Sequence, residues 1–231
     1  MSHIPKKAFV FYCPIEPDQP IPNVDSITLL GCSGQIALEK TSNNDMLQLL
    51  GVHDMDTDIQ CLFKQRFNDM SLHIFSNSST TKALSKQLGC TCQPIESIDQ
   101  IKQQDSHIIF VDFTDDTQHA WQFIDQLSDQ PSANTIYCII SPSNVIPDQQ
   151  KHWWDTLVPR QSHVMKHGSI VEIQDRKCVY SYLHTGSCRK DNTTKYTSSD
   201  IIQNGSNNTI LAWHLMAEIG HKLGFVEKYG A

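Results

Sequence analysis

Short apolar runs alternate with helix-forming segments up to residue 140, and this alternation limits the fold more than any other feature of the sequence. The clearest runs are residues 8–12, 71–75, 107–113 and 135–140. Helical spacing of apolar side chains lies between them, for example over residues 117–127. The run at 107–113 is almost continuously apolar, which is typical of a strand buried on both faces. The pattern predicts a three-layer, doubly wound α/β fold with a mostly parallel sheet.

Asparagines mark where several helices are expected to begin. Asn23 is a candidate cap for a helix that ends at Leu30, and Asn43 or Asn44 is a candidate cap for one that ends at Leu50. Each of these helices is followed by a glycine, which is typical of a helix end. The sequence therefore predicts two short helices in the first fifty residues.

The pattern is less regular from residue 142 to residue 206. Strands are expected at 169–173 and 178–183, followed by polar sequence rich in turn formers. Asn207 or Asn208 is then predicted to cap a final amphipathic helix.

Composition and charge limit the function classes. The chain has 18 basic and 25 acidic residues, a net charge of −7, which leaves no basic surface suited to nucleic acid. Its eight cysteines are scattered without a Cys-x-x-Cys motif, as free thiols in a reducing compartment would be. No apolar run is long enough for a membrane span or a signal peptide. We expect one α/β domain over residues 1–231, cytoplasmic, with the nucleus or a mitochondrion also open.

Ligands of such folds bind at the carboxyl ends of the strands, so the chemistry is sought in the loops that follow them. The loop after Phe113 places Asp115 and His119 four residues apart, which is one helical turn if the helix begins there. A carboxylate with an imidazole suits zinc, manganese or iron. The alternative is that Asp115 or Asp116 caps the helix and His119 lies on its surface.

Several segments resemble a known family. Pro22-Asn23-Val24-Asp25, the pair Gly31 and Gly34, and Ser42 nine residues before Gly51 are similar to the amino-terminal segment of the archaeal-type cofactor-independent phosphoglycerate mutases. These enzymes belong to the alkaline phosphatase superfamily.

Two further regions extend the resemblance. Asp115-x-x-x-His119 resembles the metal motif of the family. The tail resembles short, poorly characterised eukaryotic members of the superfamily in Gln161-Ser162, Met165-Lys166, Arg189-Lys190-Asp191 and Lys228-Tyr229-Gly230-Ala231.

The resemblance implies a serine nucleophile, at Ser42, and a two-metal centre. In the family, the metal beside the serine is held by an Asp after the first strand and by an Asp-His pair after a later one. Here those places hold Tyr12-Cys13-Pro14 and Ser141-Pro142. A serine hydroxyl that no metal or base activates is a poor nucleophile, so Ser42 is expected to be inactive.

The other metal of the family implies a separate set of ligands. It would keep Asp115 and His119, with a third ligand from His152, His163 or His167.

Chain length separates this sequence from the mutases, which insert a large second domain after the Leu-Leu-Gly turn. Between Gly51 and the strand at Ser71 there is room only for a helix such as residues 58–70. We therefore expect a catalytically degenerate alkaline-phosphatase-like core without the inserted cap, with no cofactor, that binds or scaffolds another protein. The alternative is a metal-dependent phosphatase or phosphodiesterase with one divalent metal, manganese or zinc, at Asp115 and His119.

Overall fold

The computed structural model describes residues 4–40, 44–52, 58–143 and 171–227. The strands are β1 (Lys7–Tyr12), β2 (Cys32–Glu39), β3 (Leu72–Ser76), β4 (Thr91–Gln93), β5 (Ile108–Asp112), β6 (Thr135–Pro142), β7 (Ile173–Leu183) and β8 (Thr209–Leu211). The helices are α1 (Pro22–Leu30), α2 (Asp45–Leu49), α3 (Ile59–Phe67), α4 (Ser79–Leu88), α5 (Ile98–Lys102), α6 (Ala120–Leu127), α7 (Ser198–Asn204) and α8 (Ala212–Lys222).

The described strands form one eight-stranded sheet in the order β4-β3-β5-β1-β6-β7-β2-β8. Every pairing is parallel except those of β7 with β6 and β2, which are antiparallel. The predicted mostly parallel α/β sheet is confirmed. Parallel strands have both faces covered, and this explains why the run that forms β5 is almost continuously apolar.

Two apolar clusters lie on opposite faces of the sheet. Ala8 and Val10 of β1 belong to one cluster, and Phe9 and Phe11 belong to the other, because successive side chains of a strand point to opposite faces. Helices α2, α3, α4 and α8 pack on the first cluster, and α1, α5, α6 and α7 pack on the second. The arrangement is the predicted three-layer, doubly wound fold.

The region between β6 and β8 differs from the prediction. Residues 173–183 form one long strand, where the sequence predicted separate strands at 169–173 and 178–183; residues 169 and 170 lie outside the described ranges. Asp175 and Arg176, between the two predicted strands, are exposed positions within one continuous strand. Solvent exposure of the first half of β7 therefore allows a polar sequence to remain in the sheet.

The final helix begins later than predicted. Residues 209–211 form β8, which pairs in parallel with β2, and α8 begins only at Ala212. The predicted caps Asn207 and Asn208 are wrong for this reason. Asn207 instead donates from Nδ2 to Sγ of Cys32 at 3.0 Å, so its side chain serves the turn that leads into the edge strand.

Helices α1 and α2 begin in different ways. Asn44 accepts a hydrogen bond from the backbone N–H of Leu47 and caps α2, as predicted. Asn23 does not cap α1. The carboxylate of Asp125, in α6, accepts from the backbone N–H groups of Asn23 at 2.8 Å and Val24 at 3.0 Å. The cap of α1 therefore comes from a side chain about a hundred residues away, which also fastens α1 to α6.

The described residues also bear on the expected absence of an inserted domain and of a membrane span. Between Gly51 and β3, the described residues form only α3, inside the predicted 58–70 segment. No helix that the structure describes is long and apolar enough to span a bilayer.

Asp125→Ala should lower the free energy of unfolding by about 1–2 kcal/mol, because the first turn of α1 loses its charged acceptor. Urea denaturation followed by circular dichroism measures this loss. Asp129→Ala, an exposed carboxylate just past α6, is the matched control and should change little. Equal losses in the two variants would contradict the role given to Asp125.

Candidate functional site

The carboxyl ends of the neighbouring strands β3, β5 and β1 lie side by side. We call this end of the sheet the carboxyl edge. Ser76 pairs in register with Asp112, and Asp112 pairs with Tyr12, so the last residues of three neighbouring strands form a row. Tyr12 belongs to the apolar cluster under α2 and α4, and alternation places Ser76 and Asp112 on that same face. This row, with the loops beyond it, is where ligands bind in open α/β sheets.

Asp112 is the central residue of the row and is 1% exposed. Its Oδ2 accepts hydrogen bonds from the hydroxyls of Ser76 at 2.8 Å and Thr81 at 2.5 Å. Its Oδ1 accepts from the backbone N–H of Thr114 at 3.0 Å and from the Thr114 hydroxyl. A buried carboxylate is stable only when donors satisfy it, and four donors from three segments do so here.

Asn77 links the loops around this carboxylate. Its Nδ2 donates to Oδ2 of Asp116 at 3.2 Å, and its Oδ1 accepts from the backbone N–H of Ile95 at 3.2 Å. The loops after β3, β4 and β5 are thus joined by one side chain at the edge of the sheet.

The predicted metal ligands Asp115 and His119 lie in the loop between β5 and α6, and both are exposed. Helix α6 begins at Ala120, so the expected helical turn between the two residues is wrong. His119 occupies the N-cap position of α6 without a capping bond from its side chain. Neither Asp115 nor Asp116 caps the helix.

The end of β1 carries neutral groups. Burial raises the pKa of the Tyr12 phenol well above its ordinary value and raises the pKa of the Cys13 thiol to about 11. Both groups are therefore protonated at neutral pH. A metal ion bound at this strand end would first have to displace a proton from one of these two groups.

The Tyr12 hydroxyl is held by an ion pair. Its oxygen donates to Oδ2 of Asp45, the first residue of α2, at 3.3 Å. The other oxygen of Asp45 contacts Nη2 of Arg176, in β7, at 2.7 Å. Arg176 is 44% exposed and Asp45 is 14% exposed, so the pair closes over the end of β1 from the solvent side.

The end of β6 is also occupied by hydroxyl groups. Ser141 and Tyr196 lie 3.2 Å apart through their side-chain oxygens, and both are buried. Tyr196 also donates to the backbone carbonyl of Ile139 at 3.2 Å. The place where the family would carry its Asp-His pair is therefore filled by hydrogen-bonded hydroxyls.

The residues of the amino-terminal resemblance serve packing. A Cβ added to Gly31 would lie 2.2 Å from the backbone oxygen of Tyr182, and one added to Gly34 would lie 2.9 Å from Cβ of Asn207. Asp25 accepts from the backbone N–H of Tyr196 at 2.8 Å. These residues bring α1 and β2 close to their neighbours.

Ser42 and the predicted third ligands His152, His163 and His167 lie outside the described residues. Sequence reasoning did not single out Asp112, Asp45 or Arg176. For Asp112 a signal existed, because it is a lone carboxylate at the end of an apolar run. Asp45 and Arg176 are 131 residues apart, and the sequence carries no sign of their contact.

Comparison with known proteins supports the fold. No family model and no curated protein matches the sequence. The PH0037 protein from Pyrococcus horikoshii superposes with a TM-score of 0.61 at 11% identity, over 99% of each chain. A cofactor-independent phosphoglycerate mutase from Thermoplasma acidophilum DSM 1728 superposes with a TM-score of 0.57 at 8% identity, over 95% of this chain and all of that one. The fold is that of a phosphoglycerate mutase-like α/β protein, and at these identities the likeness concerns the fold alone.

The described residues do not fit the two-metal centre that the resemblance implies. Tyr12-Cys13-Pro14 and Ser141-Pro142 stand where the family carries its Asp and its Asp-His pair, and Asp112 already accepts four hydrogen bonds from the protein. Within the described ranges, no group of three His, Cys, Asp or Glu side chains is placed to hold a metal. Asp115 and His119 supply at most two ligands of one site.

Asp112→Ala should lower the free energy of unfolding by at least about 3 kcal/mol, because it leaves the buried hydroxyls of Ser76 and Thr81 without their acceptor and removes the two bonds from Thr114. Urea titration measures the loss. Asp115→Ala, three residues further on and exposed, is the control and should stay within about 0.5 kcal/mol of the parent protein. A loss for Asp112→Ala as small as that for Asp115→Ala would show that the Asp112 carboxylate does not stabilise the carboxyl edge.

Proposed function

We propose that this chain is a catalytically degenerate protein of the alkaline-phosphatase-like fold that acts by binding or scaffolding another protein. One observation carries the proposal. At the carboxyl edge, where this fold class places its chemistry, the buried carboxylate of Asp112 is fully engaged by Ser76, Thr81 and Thr114.

The charges at the edge support the same conclusion. Phosphoryl transfer concentrates positive charge, usually metal ions, around the reacting group. The ends of β1 and β6 instead hold a neutral phenol, a neutral thiol and a buried serine hydroxyl. The cation Arg176, which lies beside the end of β1, is already paired with Asp45. Nothing in this set activates a nucleophile.

The second candidate function is a metal-dependent phosphatase or phosphodiesterase with a reduced site. The observation that favours it is the exposure of Asp115 and His119 in one short loop at the same edge. One divalent ion bound there by two side chains would need further ligands from elsewhere.

Hydrolysis of p-nitrophenyl phosphate and bis-p-nitrophenyl phosphate, with Mn²⁺ or Zn²⁺ added in turn, separates the two candidates. We expect release of p-nitrophenol at the rate of the buffer with the same metal. The same rate is expected for Ser42→Ala and for Asp115→Asn.

The variants show which residue is responsible for any hydrolysis that is found. Metal-dependent hydrolysis that Ser42→Ala abolishes would overturn the proposal, because it would show a working nucleophile. Hydrolysis that Asp115→Asn abolishes and Asp105→Asn preserves would establish the reduced metal site instead. Asp105 is the matched carboxylate, since it lies just before β5, at the opposite end of that strand.

A further inference from the structure

The last turn of α1 exposes two consecutive leucines. Leu29 is 42% exposed and Leu30 is 48% exposed, and they are two of only four large apolar side chains that the described residues expose to this degree. Both precede Gly31, where the chain turns into β2. An isolated exposed leucine is ordinary, whereas two adjacent exposed leucines offer two apolar side chains to a partner.

The backbone of a chain segment with two cations runs beside the end of this helix. The backbone N–H of Asp191 donates to the carbonyl of Gly31 at 3.1 Å, which places the preceding residues, Arg189 and Lys190, next to the end of α1. Both side chains are exposed, and neither forms an ion pair with any residue that the structure describes. We call Leu29, Leu30, Arg189 and Lys190 the leucine–arginine surface.

The backbone under this surface is fixed. The carboxylate of Asp191 accepts from the backbone N–H groups of Ser33 at 2.7 Å, Thr193 at 3.0 Å and Ser206 at 3.0 Å. Gly31 packs against the backbone of Tyr182 with no room for a Cβ. The backbone that carries the leucines and the cations is therefore held in one arrangement. Binding of a partner there costs little further ordering of this backbone.

The charge of this surface is opposite to that of the whole protein. The chain carries a net charge of −7, yet Arg189 and Lys190 add two unpaired positive charges next to the apolar pair. The nearest acid along the chain, Asp191, keeps its negative charge, but its carboxylate is turned toward the backbone N–H groups of Ser33, Thr193 and Ser206. A partner that is complementary here has negative side chains around an apolar anchor.

We infer that the leucine–arginine surface binds an acidic peptide segment of another protein, with Leu or Phe as its anchor between Asp and Glu residues. The inference deepens the proposed binding function and rests on it. Two cations are too few for a nucleic acid backbone, whose affinity grows with the number of phosphates contacted.

Selection from a phage-displayed library of random dodecapeptides tests the inference on the full chain. We expect the enriched peptides to be acidic and to carry a large apolar residue. Their affinity, measured by fluorescence anisotropy, should fall as salt rises, because exposed charges are screened. Enrichment of neutral or basic peptides, or of none, would overturn the inference.

Variants locate the binding site. Leu29→Ser with Leu30→Ser, and separately Arg189→Glu with Lys190→Glu, should each weaken the selected peptide by about tenfold or more. Lys86→Glu with Lys102→Glu makes the same change of net charge at exposed lysines of α4 and α5 and should leave affinity within about twofold. Thermal melting confirms that all variants fold. If both charge-reversal variants weakened peptide binding equally, the peptide would be attracted by the net charge of the protein and would have no defined site.

A second copy of this chain is the competing occupant. Sedimentation velocity should show a monomer at every concentration tested. Self-association that Leu29→Ser with Leu30→Ser abolishes would assign the surface to a dimer and overturn the inference. Hydrolysis of phosphate esters beside intact peptide binding would instead contradict only the proposed loss of catalysis, so the two failures are distinguishable.

Discussion

A carboxylate that is removed from water must be surrounded by donors, and the edge of this sheet is arranged around that requirement at Asp112. Ser76 comes from the end of β3, Thr81 from the first turn of α4, and Thr114 from the loop after β5. The carboxylate therefore fixes the relative positions of three segments. Asn77 extends the same network to the loop after β4.

The loss of catalysis that we propose is compatible with an intact fold. Strand pairing and the two apolar layers depend on residues in the sheet and its helices, whereas catalysis depends on a few side chains at strand ends. Here those ends hold Tyr12, Cys13 and Ser141, which hydrogen-bond or pack within the protein. The surface that we propose for binding a partner lies elsewhere, where α1 meets β2.

Sequence reasoning predicted the layers because they depend on local periodicity. The run at 107–113 became β5, and Asn44 capped α2, since both signals lie within a few residues. It failed where a partner is distant in sequence. The cap of α1 by Asp125 and the placing of β8 beside β2 depend on tertiary contacts that no local pattern records. The candidate site was predicted in the loops at the carboxyl ends of the strands, whereas the sequence indicated Asp112 only as part of an apolar strand.

The central claim is that internal hydrogen bonds, and not a metal ion, organise the carboxyl edge. Crystals grown in manganese chloride and measured at the manganese absorption edge test it most directly. We predict no anomalous peak within bonding distance of Asp112, Asp115 or His119, and Ser76 and Thr81 still hydrogen-bonded to Asp112. An anomalous peak coordinated by Asp115 and His119, with the Asp112 carboxylate turned toward it, would contradict this account.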